Sequence, residues 1–385
     1  MRNASPGNGE DGSGSSVQMT GWRTAVFCFY TNSISPHQLP LAKALIHVLG
    51  EDNYRYVYTS PLTTERKLMG WSCNSQERWI ISEQEHSLEA RTLLLKCDAL
   101  LSGNRTLDVF EARAMAGRLT MYFSERWFKP IRLFSFSFFG IKINVRIPGI
   151  VRMLVPSYRK MARKLVRLIN ERDNFYYLPA GVHALNDMRR IGAREEKMIT
   201  WAYFVEQSEH KVPSITQQTL DLHKPLRLLW VGRMIGWKRV DTIIRAVNRI
   251  KEGVELTLVG SGEESARLRK LVKGDNVHFV DSVPIARVRD VMRTHDVYVL
   301  SSDAEEGWGA ALSEALEEGL IGVGTYEAGS SATMLPDSQL FHAGDDKRLS
   351  EIIIAIMQSG SKKGYLHHIG VWNAIDGAKK LLEMR

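Results

Sequence analysis

Two α/β domains, each a parallel sheet covered by helices on both faces, are what this sequence predicts, and three observations predict them. Short apolar runs alternate with helical patterns along most of the chain, as strands joined by helical crossovers require. The alternation comes in two series, divided by a change of composition near Lys211 to Pro225. A chain of 385 residues is also longer than one ordinary core accommodates.

Taken in order, the first twenty residues, with Gly7, Gly9, Gly12 and Gly14, read as a flexible polar tail (1–20). The first series (21–210) has strands expected at Arg23–Tyr30, Arg55–Tyr58, Trp79–Ser82, Ala99–Ser102, Leu119–Phe123, Phe175–Leu178 and Met198–Phe204. Helical patterns at Leu39–Leu49 and Leu88–Lys96 lie between them, and another is expected over Val151–Ile169. The second series (225–365) is cleaner, with strands at Leu226–Val231, Val254–Val259, Val277–Val280, Val297–Leu300 and Leu320–Gly324. Its helices include Val240, Ile243, Ile244, Val247 and Ile250 on one face. A closing helix is expected within 366–385, from Gly370 to Leu382.

Composition narrows the partners. With 44% hydrophobic residues and no charge-free apolar stretch of the ~18 residues that a spanning helix needs, the chain reads as globular. It shows no secretory leader, so a cytoplasmic location is expected. Cys28, Cys73 and Cys97 are odd in number and lack paired metal-ligand spacing; they read as reduced thiols, and no metal site is expected. A net charge of +8 points to an anionic partner: phosphate, nucleic acid or an acidic membrane surface. From Arg126 to Asn170 there are eleven lysines and arginines and no acid, interleaved with Trp127, Phe128, Phe134, Phe136, Phe138 and Phe139. That stretch reads as a nucleic-acid track, as a surface for a lipid-linked acceptor, or as a solvated basic face over ordinary core.

The chemistry is concentrated in Ser301–Leu316, where Glu306 and Glu314 stand eight positions apart across a strand-to-helix turn. Glu306 falls at the helix mouth and Glu314 about two turns inside. Unpaired N–H groups of the first turn favour a bound phosphate between them. The plain alternative is an acidic turn that complements the helix dipole. Upstream, Gly232-Arg233 and Lys238 follow the first strand of the second series, where a guanidinium and an ammonium can reach over a diphosphate. The strand Val254–Val259 runs into a Gly260-Ser-Gly262 turn, by itself weak because many helix entries need such glycines.

This set resembles the glycosyltransferase family 4 enzymes, through the Glu306-(seven residues)-Glu314 spacing and the Gly232-Arg233-x(4)-Lys238 loop. The resemblance implies a GT-B fold, two Rossmann-like domains facing across a cleft, and a closing helix that packs back on the first domain. It implies transfer of a sugar from a nucleoside-diphosphate-sugar to a hydroxyl acceptor, with retention, and no cofactor. Arg233 and Lys238 would stabilise the departing diphosphate, Glu306 would hold hydroxyls of the transferred sugar and Glu314 those of the ribose. Gly260, Gly262, Val283, Gly307, Trp308 and Gly309 fall where the family binds the donor. Gly329-Ser330-Ser331-Ala332 departs from the family's glycine-rich turn. In the first series Ser33 and Ser35 stand where relatives have paired glycines, and His37 and Glu125 are candidates to touch donor or acceptor. A histidine such as His37 at a helix start is more often a cap or surface group, and Glu125 reads equally as a strand-end partner of Arg126. The expected partners are a nucleotide-sugar, a glycan or lipid-linked acceptor of the lipopolysaccharide, capsule or exopolysaccharide type, and an anionic membrane surface along 126–169; no nucleic acid is expected. An epimerase or hydrolase using the same donor pocket, or a non-catalytic nucleotide- or nucleic-acid-binding protein, is the competing class.

Overall fold

The computed structural model describes residues 26–68, 77–103, 106–138, 141–208, 220, 223–250, 252–362, 365 and 373–384. The expected tail, the start of the first strand, Cys73 and most of the composition change near Lys211 lie outside the described residues.

In the first domain the strands are β1 (Phe27–Thr31), β2 (Tyr54–Tyr58), β3 (Ile80–Ser82), β4 (Ala99–Ser102), β5 (Leu119–Ser124), β6 (Ile131–Phe138), β7 (Ile141–Ile147) and β8 (Phe175–Pro179). Among them run α1 (Leu39–Leu49), α2 (Thr64–Leu68), α3 (Ser87–Lys96), α4 (Leu107–Met115), α5 (Pro156–Glu171) and α6 (Gly181–Arg189). Six strands form one parallel sheet in the order β3-β2-β1-β4-β5-β8, and β6 and β7 make a separate antiparallel hairpin. The second domain repeats the plan with β9 (Leu226–Val231), β10 (Val254–Val259), β11 (Val277–Val280), β12 (Val297–Leu300), β13 (Ile321–Thr325) and β14 (Leu340–Phe341). Its helices are α7 (Val240–Arg249), α8 (Ser265–Arg269), α9 (Ile285–Met292), α10 (Ala310–Glu317), α11 (Gly329–Met334) and α12 (Asp346–Ser359), and α13 (Ala374–Leu382) closes the chain. Its sheet is ordered β11-β10-β9-β12-β13-β14, so both sheets reverse direction beside their first strand. That reversal opens a crevice at the carboxyl ends of the strands.

Central strands are apolar on both faces, as burial between helices requires: all five residues of β1 and all four of β12 are buried. Arg113 of α4 is buried as well. Its guanidinium donates to Thr120 Oγ1 and to the carbonyls of Leu94, Cys97 and Leu119, at 2.9–3.2 Å. Helix α13 places Ala378, Leu381 and Leu382 in the first domain's core, against α1.

Two expectations are corrected, and one element was not foreseen. Met198–Phe204 is not a strand: it meets β8 only through the bridges Tyr177–Met198 and Ala180–Trp201, and Phe204 then donates its N–H to the His37 carbonyl. The helix read over Val151–Ile169 is a 3-10 turn, Gly149–Leu154, followed by α5, because Pro156 lacks the N–H that a continuous helix would use there. The basic stretch contains a hairpin, which the alternation Phe134-Ser-Phe136-Ser-Phe138 marks with the period of a strand.

The two domains touch where α6 begins. A Cβ on Gly181 (φ +80°) would strike the Thr333 hydroxyl, the Gly329 carbonyl and the Trp308 ring. Val182 N–H donates to Thr333 Oγ1 (3.0 Å), and His183 Nε2 lies 2.5 Å from the Tyr326 carbonyl.

Candidate active site

Two loops at the carboxyl edge of the second sheet carry the motif residues. After β9 the chain passes Gly232 and exposed Arg233 and reaches a 3-10 turn, Gly236–Lys238, before α7. After β12 it passes buried Ser301, Ser302 and Asp303 and enters α10 through Gly309 (φ +89°), a backbone that favours glycine. The Lys238 ammonium sits 2.5 Å from Glu306 Oε2, which also accepts from Ser302 Oγ at 2.8 Å. Lys238 lies over the Trp237 ring as well, 4.5 Å from its centre. Ser301 Oγ donates to the Lys238 carbonyl (2.7 Å). Separated by 68 positions in sequence, the two charged groups meet in one place.

Glu314, about one turn into α10, faces the other domain. Its Oε1 lies 3.9 Å from His37 Nδ1 at the start of α1. Burial pushes the Glu314 carboxyl up to about 7, Arg289 opposing and Glu318 adding to the rise. Burial also lowers His37 to about 4. An ion pair would move both groups the other way, so the contact is between a neutral imidazole and a carboxyl that is half-protonated near neutrality.

Glu125, at the end of β5, also reaches across. A Cβ on Gly307 would overlap its carboxylate, so the glycine leaves the place that the Glu125 side chain takes across the cleft. Glu125 accepts from Tyr203 Oη (3.1 Å) and Lys129 Nζ (3.1 Å). Arg126 instead faces buried Asp187, at 3.5 Å, which sets aside the expected Glu125–Arg126 pairing.

The remaining motif residues are placed differently. A Cβ on Gly260 would strike the Gly232 carbonyl and one on Gly262 the Met234 carbonyl. Both glycines thus permit the β9 and β10 loops to pack backbone to backbone, through Gly232 N–H to the Val259 carbonyl (3.0 Å) and Met234 N–H to the Ser261 carbonyl (2.8 Å). Trp308 is buried, with its N–H on Ser313 Oγ (3.1 Å), so its ring belongs to the core rather than to the cleft. Val283 is half-buried against the second domain's core. Ser33 accepts from Arg66 (3.2 Å), and Ser35 Oγ accepts the His37 N–H (3.3 Å) as a turn former. In place of the expected glycine-rich turn, Ser330 Oγ donates to the Gly309 carbonyl and Ser331 Oγ to that of Thr325, fastening α11 to the entrance of α10.

Asp303 and Arg146 were missed by the sequence reading, although Asp303 lies inside the motif loop. Arg146 Nη2 is 2.7 Å from Asp303 Oδ2, across 157 positions of sequence. Among the described residues no cluster of three or more His, Cys, Asp or Glu is placed to hold a metal ion, and no helix is long and apolar enough to cross a membrane.

Residues 225–359 match the family model described as glycosyl transferases group 1. An uncharacterized glycosyltransferase of Methanocaldococcus jannaschii is 31% identical over 98 residues, 24% of this chain and 25% of that protein. The GtfA subunit of a UDP-N-acetylglucosamine–peptide N-acetylglucosaminyltransferase of Streptococcus pneumoniae is 29% identical over 120 residues, 30% of this chain and 24% of its own. The aligned stretch thus spans about a quarter of each of these curated relatives. Among solved structures, Anabaena HepE in complex with UDP superposes with a TM-score of 0.58 at 16% identity, covering 93% of this chain and 97% of that one. WaaG, a glycosyltransferase involved in lipopolysaccharide biosynthesis, gives 0.55 at 15% identity over 93% and 98%. The lipopolysaccharide outer core galactosyltransferase WaaB gives 0.56 at 14% over 93% and 94%. The fold is therefore GT-B across nearly the whole chain.

Proposed function

We propose that this chain, a GT-B protein whose second domain belongs to the group 1 glycosyltransferases, transfers a hexose from a nucleoside-diphosphate-sugar to a hydroxyl of a glycan or lipid-linked acceptor, with retention and without a metal. The observation that carries the reading is the meeting of Lys238 with Glu306 at 2.5 Å, at the carboxyl edge of the second sheet. The cation and the acid satisfy each other. A bound donor would divide them, its diphosphate taking Lys238 and Arg233 while the sugar hydroxyls donate to Glu306. Charge developing on the leaving diphosphate is then met by fixed positive groups. Glu314 is assigned the ribose, and His37 and Glu125, on the facing domain, the acceptor side. HepE was solved with UDP and with UDP-glucose, which supports a uridine donor here.

The acceptor side also favours a membrane surface. Leu154, Val155 and Met161 are exposed at 76%, 51% and 41% beside exposed Lys160 and Arg163. Much of the other basic charge is paired with acids of the same chain, Arg126 with buried Asp187, and at the surface Lys164 with Asp108 and Glu111 and Arg167 with Glu111. The reading is therefore of a small amphipathic contact at the inner face of a membrane, with the protein otherwise cytoplasmic, and not of a nucleic-acid track.

Thermal shift with UDP, GDP and ADP, followed by nucleotide release from the matching donor in a chelator, tests the function. Stabilisation by one nucleotide and acceptor-dependent release are expected. Free sugar or an epimer formed without acceptor would assign a hydrolase or epimerase, and RNA binding without nucleotide affinity would overturn the enzyme reading.

A further inference from the structure

The structure assigns Arg146 as a positioning residue for the donor loop: reaching from the first domain's hairpin, it holds Asp303, and through Asp303 the turn that sets Glu306 beside Lys238. The inference rests on the function proposed above, in which that pair handles the donor, but its geometry is independent of it. Arg146 stands near the end of β7 and is 16% exposed; Asp303 is 7% exposed. Nη2 lies 2.7 Å from Asp303 Oδ2 and Nη1 3.4 Å from Glu305 Oε1.

Asp303 is a junction. Its N–H donates to the Trp237 carbonyl (2.8 Å), in the turn that carries Lys238. Its carbonyl accepts the Glu306 N–H (3.0 Å), and its Oδ1 accepts the Glu305 N–H (3.0 Å). One residue thus joins both motif loops, and its remaining oxygen is held by a cation from the opposite domain. Lys129 adds a weaker tie from the same side, 3.5 Å from the Glu305 carbonyl. Burial raises the Asp303 carboxyl above the usual range, while Glu305 N–H and Arg146 pull it down. A buried carboxylate that loses its partner protonates or turns toward water, and either change weakens the bond that its Oδ1 accepts from the Glu305 N–H and so loosens the Glu305–Glu306 turn. Arg146 does not itself reach Glu306 or Lys238; it acts through Asp303. The acceptor-side hairpin is thereby coupled to the donor loop.

Hydrogen exchange on the full-length, ligand-free chain tests this directly. In R146Q the amides of Glu305 and Glu306 should exchange at least about tenfold faster, with the peptides of the second sheet unchanged and R146K intermediate. Where R146Q loosens the whole chain, R146Q/D303N, which leaves no lone buried charge, carries the same readout. With donor and acceptor present, R146Q should lose about 100-fold in kcat with little change in donor KM, and R146K should recover part of it. The acid limb of its pH profile should move to higher pH, because Asp303 has lost the cation that lowers its pKa. Unchanged exchange at 305–306 overturns the role of Arg146, whatever the protein catalyses. Absence of turnover in the unaltered chain overturns the transferase reading alone, since exchange needs no donor.

Discussion

The two sides of the cleft are built in opposite ways. On the second domain the candidate site residues come mainly from short loops after β9 and β12, each set within a few residues of the strand that fixes it. On the first domain they come singly from distant places: His37 from the start of α1, Glu125 from the end of β5, Arg146 from the hairpin. A strand end presents a local motif whose spacing survives in the sequence. A facing wall has to match a partner surface, and only the fold says which of its residues do so.

Changes on the motif side are expected to have the largest effect. Replacing Lys238 by Met or Glu306 by Gln removes a group aimed at charge or hydroxyls on the donor, and should cost about 100- to 1,000-fold in kcat/KM. Lys238→Met also leaves Glu306, only 11% exposed, without its cation, so some fall in melting temperature is expected there; Glu306→Gln keeps the shape and can still accept from Lys238, and is the cleaner variant. If either variant kept full turnover with a folded protein, the motif side would lose its claim to the chemistry. Steady-state kinetics beside a melting curve decides it.

A smaller effect, about tenfold or more in kcat, is expected from Gly307→Ala, because the new methyl occupies the place of the Glu125 carboxylate and displaces it from Tyr203 and Lys129. The comparison sharpens in the double variant. If the loss comes from that overlap, Glu125→Ala should relieve part of it, and the two substitutions should be non-additive. Additive losses would mean that Gly307 and Glu125 act separately and that the walls do not meet here in solution.

The same asymmetry sets what was legible. The five strands read in the second domain are all found, with the last displaced by one residue, because each is an apolar run between turn residues. Glu306 and Lys238 were visible for the same reason. Gly260 and Gly262 stood out only through the resemblance, and what the structure adds is a packing reason for them: a Cβ at either would strike a carbonyl of the neighbouring loop. Trp308, inside the motif, is a core residue. The functions of Asp303 and Arg146 were illegible because nothing local distinguishes a carboxylate at a junction from one on a surface. The basic stretch misled in the same way: as a run of charge it resembles one face, yet Arg126, Arg146 and Lys164 each point to different acids.

The smallest expected effect, and the one that probes the contact between the walls, is on pH. In the ligand-free protein the Glu314 carboxyl is raised to about 7, while His37, lowered to about 4, stays neutral through the working range. Ribose hydroxyls donate to an ionised carboxylate, so a bound nucleotide lowers the pKa of Glu314. Nucleotide affinity should therefore be flat above about pH 7 and fall below it, by at most about tenfold per unit. Stability of the free protein moves the other way. A carboxyl whose folded value exceeds its unfolded one opposes folding increasingly as pH rises from the ordinary glutamate range to about 7, and not further above it. Titration calorimetry with UDP across this window, beside melting curves without ligand, should show the opposed trends, and Glu314→Gln should flatten the Glu314 contribution to both. Affinity that rises on acidification would place the proton on the bound state instead and remove Glu314 from the ribose.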